Sequence, residues 1–368
     1  MKKKLITLLL SATMVLGLVA CGGSNESEKK EEKKEGDGTY EIALVTDVGT
    51  IDDKSFNQGA WEGVVAYAEE NNITHQYYKP VEASDEAYKD SIALAVKGGA
   101  KVVVLPGYLF EVPCFDVQTQ YPEVTFILID GEPHTADYAT YKTENNTLCI
   151  LYAEQQAGYL AGYAAVKDGY KKLGFMGGMA VPAVKKFGYG FAAGADAAAA
   201  ELGLKDGEVT LRYTYLDSFN ATPEINAKAS SWYKEGTEII FAAAGGAGNS
   251  VMKAAETAKT QVIGVDVDQS SESATVISSA MKNLKKSVYD AITSYYDGSF
   301  KGGQTLTLDA SNEGVQLPME SSKWATFTQE DYDAVYAKLA AGEIEIPTDK
   351  DAEKPSDLKV SKIAITVE

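Results

Sequence analysis

Thr46-Asp47-Val48-Gly49-Thr50-Ile51-Asp52-Asp53-Lys54-Ser55-Phe56-Asn57-Gln58-Gly59-Ala60-Trp61-Glu62-Gly63 is the stretch on which the reading of this chain turns. An apolar run, Ile42 to Val45, leads into it; a glycine- and acid-rich turn follows, and the residues from Ser55 onward predict a helix. Ser55 is the expected N-cap, because its hydroxyl can accept from an unpaired amide of the first turn. The order is strand, loop, helix. Asp47, Phe56 and Asn57 then fall at the carboxyl end of the strand, which is where parallel α/β sheets bind ligands. Taken alone, Phe56 reads equally well as a core residue and the acids as solvated turn.

The pattern occurs twice. Phe56-Asn57-Gln58-Gly59-Ala60-Trp61-Glu62-Gly63 and Phe187-Gly188-Tyr189-Gly190-Phe191-Ala192-Ala193-Gly194 share the spacing F-x-x-G-x-x-x-G. Each copy follows a predicted strand (42–46 and 172–176) and a loop. Glycines four apart lie on one helix face, and the expectation is that they let each helix pack closely on a sheet. A doubled strand–loop–Phe–helix unit points to two similar lobes, with two facing rings that clamp something flat.

The rest of the chain alternates strand and helix. In the first lobe, strands are expected at 42–46, 74–78, 102–105 and 124–129, and helices at 55–71, 85–97 and 111–120. A helix over 149–166 leads onward. In the second, strands are expected at 172–176, 210–215, 238–242 and 262–265, with helices at 183–202, 222–235 and 250–259. Extended segments at 274–280 and 305–308 and helices at 282–297 and 329–341 follow. The polar candidates Asp47, Asp130, Gly246 and Asp266 all stand at strand ends, so their loops should converge on one cleft.

The amino terminus carries Lys2, Lys3 and Lys4, then a mostly apolar run to Val19, then Leu18-Val19-Ala20-Cys21 in the form of a lipobox. The apolar run is short for a membrane span, and lipid on the Cys21 sulfur would anchor the chain without crossing the bilayer. Residues 24–38 are Glu-, Lys-, Ser- and Gly-rich and read as a disordered tether. With 34 basic and 53 acidic residues the chain is strongly acidic, net −19, which argues against nucleic acid as a partner. Of the three cysteines, Cys114 and Cys149 could pair but read better as two buried thiols. His75 and His134 lie in different segments, each expected at the surface or in a loop. No Cys/His cluster has metal spacing, so neither a metal nor a cofactor is expected.

Two rings suit a flat, partly apolar ligand, and Asp47 and Asp130 suit its N–H or hydroxyl donors. Lys282, expected at a helix start, is the cation that would balance those acids; it also reads as a surface lysine beside Lys285 and Lys286. Arg212 is the only arginine, which disfavours phosphates and free carboxylates as ligands. Gly245-Gly246-Ala247-Gly248 lacks the Lys-Ser/Thr of a phosphate loop. No nucleophile–base set stands out. A nucleoside fits these residues; a sugar or another small polar solute is the alternative, and a nucleoside lyase or hydrolase or a gene-regulatory sensor are readings from other classes.

Residues 44–63 resemble the signature of the basic membrane protein family of substrate-binding lipoproteins, many of which serve ABC transporters for purine nucleosides. The resemblance continues through residues 154–162, 184–191, 244–248 and 263–269. It implies a two-lobe, type I periplasmic-binding-protein fold of the α/β class, with three crossovers, here near 143–147, 268–274 and 300–306. The lobes would be 39–145 with 270–302 and 146–269 with 303–346, leaving 347–368 as a tail. It further implies a monomeric, non-enzymatic, lipid-anchored receptor facing the extracytoplasmic side of the cell membrane, which passes guanosine, inosine or adenosine to a permease. By motif, Phe56 and Phe187 (or Phe191) would sandwich the base. Asp47, Asn57 and Asp130 would meet its edge, and Gly246, Asp266 (or Asp268) and Lys282 would meet the ribose or close the cleft behind it.

Overall fold

The computed structural model describes residues 39–368. The lipobox, Cys21 and the tether therefore lie outside the described residues. In the first half, β1 (Ile42–Val45), α1 (Phe56–Asn71), β2 (His75–Tyr78), α2 (Asp85–Lys97), β3 (Val102–Pro106), α3 (Glu111–Gln120), β4 (Thr125–Ile129) and β5 (Thr147–Tyr152) follow in order. The second half holds α4 (Glu154–Lys167), β6 (Lys172–Gly177), α5 (Pro182–Glu201), β7 (Val209–Tyr215), α6 (Pro223–Lys234), β8 (Ile239–Ala243), α7 (Gly248–Ala258), β9 (Gln261–Asp266) and β10 (Val276–Lys282). The chain ends with α8 (Leu284–Tyr296), β11 (Gln304–Leu308), β12 (Val315–Gln316), α9 (Gln329–Ala340) and β13 (Ile363–Val367).

Two sheets result. The first has the order β11-β5-β4-β3-β1-β2 and is wholly parallel. The second has the order β12-β10-β9-β8-β6-β7-β13 and is parallel except for β12 against β10. Strands β1, β3, β4 and β8 are buried at every residue, as unbroken apolar runs in parallel sheets should be, since helices cover both faces. In each sheet the chain starts inside, steps to one side and then builds outward on the other. β1 and β6 flank the resulting switch points, where the loops beyond the strand ends part and leave a crevice.

The crossings between lobes fall later than the sequence suggested. β5 belongs to the first sheet, β10 to the second and β11 to the first. The chain therefore changes lobe at Tyr152–Glu154, at Lys282–Leu284 and after Leu308, not near 143–147, 268–274 and 300–306. The helix expected over 149–166 is a strand and a helix in succession. Leu148 to Tyr152 is nearly all apolar and runs into the equally apolar α4, and periodicity cannot divide two buried segments of that kind. The tail expected at 347–368 is part of the second sheet: β13 pairs with β7, and Glu368 accepts hydrogen bonds from Arg212 and Trp232.

The paired glycines serve helix-on-helix contacts and not the helix-on-sheet contacts expected. A Cβ at Gly63 would lie 2.6 Å from the Lys285 carbonyl oxygen of α8. A Cβ at Gly190 or Gly194 would overlap the carbonyl oxygens of Gln155 and Tyr159 on α4. The helices that receive them, α8 and α4, are the ones that have just crossed from the other lobe. Cys114 and Cys149 are buried free thiols.

Candidate functional site

Asp47 stands two residues past β1. Its Oδ1 accepts from the Gly49 amide (2.7 Å) and from Asn57 Nδ2 (2.9 Å). Asn57 Nδ2 also donates to Asp53 Oδ2 (2.9 Å), and its Oδ1 accepts from the Asp47 amide (3.3 Å). The Asn57 carboxamide is thus engaged within the loop, and it fixes Asp47 with Oδ2 left over. Burial pushes the Asp47 carboxyl up to about 6, against the hydrogen bonds from Gly49 and Asn57.

The cap of α1 is Asp53, not Ser55. Asp53 accepts from the amides of Ser55, Asn57 and Gln58, the orphan donors of the first turn. Ser55 makes no side-chain cap; its hydroxyl donates instead to Asp266 Oδ2 of the other lobe at 2.5 Å.

Capping in this way points Phe56, the first residue of α1, into the cleft. Phe187 enters from the first turns of α5, buried and set edge-on to Phe241. Phe191, one turn further, is fully buried against Phe241 and the α4 interface, so Phe187 and not Phe191 lines the cavity. Lys282 Nζ stands near both rings, 4.9 Å from the Phe56 centroid and 5.4 Å from that of Phe187.

Lys282 is the last residue of β10, not the start of a helix as expected, because β10 runs two residues beyond Ala280 before α8 begins. Its ammonium bonds Asp130 Oδ2 and stands 3.0 Å from Glu154 Oε1. Asp130 and Asp266 end equivalent strands, β4 and β9, both with left-handed backbone (φ 59° and 66°). Burial alone would lower the Lys282 ammonium, but the carboxylates of Asp130, Glu154 and Asp266 outweigh it and hold it above the usual lysine range. Burial raises the Asp130 and Asp266 carboxyls against the pull of Lys282. Glu154 is buried too, yet Lys282 and Lys186 together hold it below the usual glutamate range. Asp130 lines the cavity, and its Oδ1, like Glu154 Oε2, is buried with no hydrogen-bond partner among the described residues, an unmet acceptor.

Gly246 lies in the short turn (Gly245–Ala247) after β8 and closes the far wall. Asp268 is turned away: its carboxylate accepts from Ser270 and Ser321 and does not line the cavity. The eight residues expected from sequence, Asp47, Phe56, Asn57, Asp130, Phe187, Gly246, Asp266 and Lys282, line one cavity of ≈ 1040 Å³.

Sequence reasoning missed Glu154, Lys186, Phe219, Tyr108, and the Glu111–His134 pair in the same wall. His134 stands in the loop between β4 and β5 but is buried there, with Nε2 3.2 Å from Glu111 Oε2. Glu154 left a signal: a lone acid opening an otherwise apolar helix must find a cation. Phe219 left a fainter one, since Gly178 and Gly245 are the positions that make room for its ring.

A family model described as ABC transporter substrate-binding protein, PnrA-like, matches residues 41–350. The chain is 28% identical over 370 residues to a CD4+ T-cell-stimulating antigen of Listeria innocua, covering 94% of this chain and 99% of that one. It is 28% identical over 374 residues to the ABC transporter nucleoside-binding protein BmpA of Lactococcus lactis, covering 95% and 100%. Among solved structures, an ABC transporter solute-binding protein from Aeropyrum pernix superposes with a TM-score of 0.73 at 22% identity, over 85% of this chain and 95% of that one. The architecture is the two-lobe type I periplasmic-binding-protein fold.

Proposed function

The chain belongs to the PnrA-like family of ABC transporter substrate-binding proteins, and from that premise we propose that it captures a purine nucleoside between its lobes and delivers it to a membrane permease. The observation that carries this reading is the pair of rings, Phe56 and Phe187, one from each lobe, lining the same cavity as Asp130, one of whose buried oxygens lacks a partner. The printed name of the Lactococcus lactis relative, a nucleoside-binding protein, supports it.

In this reading the base stacks between Phe56 and Phe187. Asp47 Oδ2, fixed by Asn57, and Asp130 Oδ1 take its ring and exocyclic N–H donors. Gly246, Asp266 and the remaining N–H of Lys282 meet the ribose. In this reading the chain binds the ligand and does no chemistry on it: the residues given roles are acceptors, the Lys282 cation and the rings of Phe56 and Phe187. A lipid on Cys21 would hold the receptor at the extracytoplasmic face of the membrane. Among the described residues no helix is long and apolar enough to cross a bilayer.

Phe56→Ala tests the sandwich. Losing one ring removes burial and stacking, ~1.5–3 kcal/mol, or about 10-fold or more in affinity. Unchanged affinity for inosine or guanosine in that variant would remove Phe56 from the site.

A further inference from the structure

Glu154 has no part in the ligand contacts above, yet its side chain is 1% exposed. It is the first residue of α4, directly after the first crossing between lobes; Lys282 is the last residue of β10, directly before the second. Their ion pair therefore joins two of the three connections about which the lobes turn. An ammonium has three N–H bonds. Lys282 gives one to Asp130 Oδ2, and another faces Glu154 Oε1 at 3.0 Å. The other Glu154 oxygen, Oε2, lies 2.6 Å from Lys186 Nζ, which also donates to the Tyr152 carbonyl at 3.1 Å. Lys186 immediately precedes Phe187 on α5. One carboxylate thus pairs with the cation near both rings and with the cation next in sequence to the second ring.

Removing that carboxylate frees Lys282 to close onto both oxygens of Asp130, its nearest remaining anion. Asp130 Oδ1, buried and unpartnered, would then be occupied by the protein itself. We propose that Glu154 is a positioning residue: it holds Lys282 on one oxygen of Asp130 so that the other is left without a protein partner for a ligand donor to take, and it ties that arrangement to the crossings. The inference rests on the receptor reading and adds to it a residue that acts through Lys282.

The test is a double-mutant cycle on nucleoside affinity by isothermal titration, with Glu154→Gln, Lys282→Met and both together. Glu154→Gln weakens inosine or guanosine binding by at least about 10-fold, whereas in the Lys282→Met background the same change alters affinity by less than about twofold, because Glu154 acts through Lys282. A merely structural role would make the two losses multiply, and that result overturns the proposal, as does unchanged affinity in Glu154→Gln. Should Glu154→Gln fail to fold, Lys282→Met compared with the double variant decides, since there two neutral side chains replace the buried pair. A wild-type protein that binds no nucleoside overturns the receptor reading and this inference with it; one that binds but shows multiplying losses overturns this inference alone.

Discussion

Asp47 shows how much a single side chain decides. Its carboxyl sits at about 6 instead of 3.8 because burial penalises the charge. A raised carboxyl in the folded state stabilises the free protein fully below the unfolded value of 3.8, and that contribution is lost as pH rises through about 6. Ligand binding has the opposite sign, since the ionised carboxylate is the better acceptor for a ring N–H. Affinity should therefore climb between about pH 5 and about pH 7 and then level, and Asp47→Asn should flatten that rise. Burial displaces Asp130 and Asp266 in the same direction, so protonation of either would weaken binding in the same sense. Titration at several pH values checks it; affinity that falls or stays level over that interval contradicts the role given to Asp47. Ser55 marks where sequence ran out at this scale. Its type and place both fit a cap, but Asp53, two residues earlier, offers two oxygens to three amides and displaces it, which leaves the Ser55 hydroxyl free to reach across to Asp266.

At the scale of elements, α2 and α3 were legible to the residue, because α2 has Ser84 as its cap and both have polar surroundings that end the apolar pattern. β5 and α4 were not, because both are buried and their junction holds no breaker. That one merger shifted a lobe boundary and hid Glu154, which stands at the junction. The doubled glycine motif was legible as a repeat, while its partner was not: only the crossing topology shows that α4 and α8 supply the opposing backbones. Gly190→Ala should consequently cost the fold roughly 1–3 kcal/mol by overpacking, since the neighbour is a backbone carbonyl that cannot swing aside. Chemical denaturation would show this as a lowered midpoint, and an unchanged midpoint would mean that α4 and α5 lie further apart than described.

For the whole molecule, several bonds already span the cleft. Ser55 reaches Asp266, Gln269 Nε2 donates to the Lys54 carbonyl at 2.6 Å, Lys54 stands 3.6 Å from Glu272, and the Tyr108 hydroxyl lies 3.9 Å from Met179 Sδ. These contacts describe a closed arrangement. A ligand that touches both lobes favours that arrangement by its differential affinity, and the permease would then read closure. X-ray scattering from the ligand-free protein should give a larger radius of gyration than the closed coordinates, and saturating nucleoside should bring it down. A radius that does not change on binding would contradict hinge closure as the signal.

The most direct test of the central claim is isothermal titration of the purified protein, freed of carried-over ligand by unfolding and refolding, with guanosine, inosine, adenosine, cytidine and ribose in parallel. The account predicts one-to-one binding of at least one purine nucleoside, weaker or no binding of cytidine, and silence from ribose. Silence from every nucleoside would contradict it: the two-lobe fold and its family would stand, and Phe56, Phe187 and the unpartnered Asp130 oxygen would belong to the recognition of a different solute.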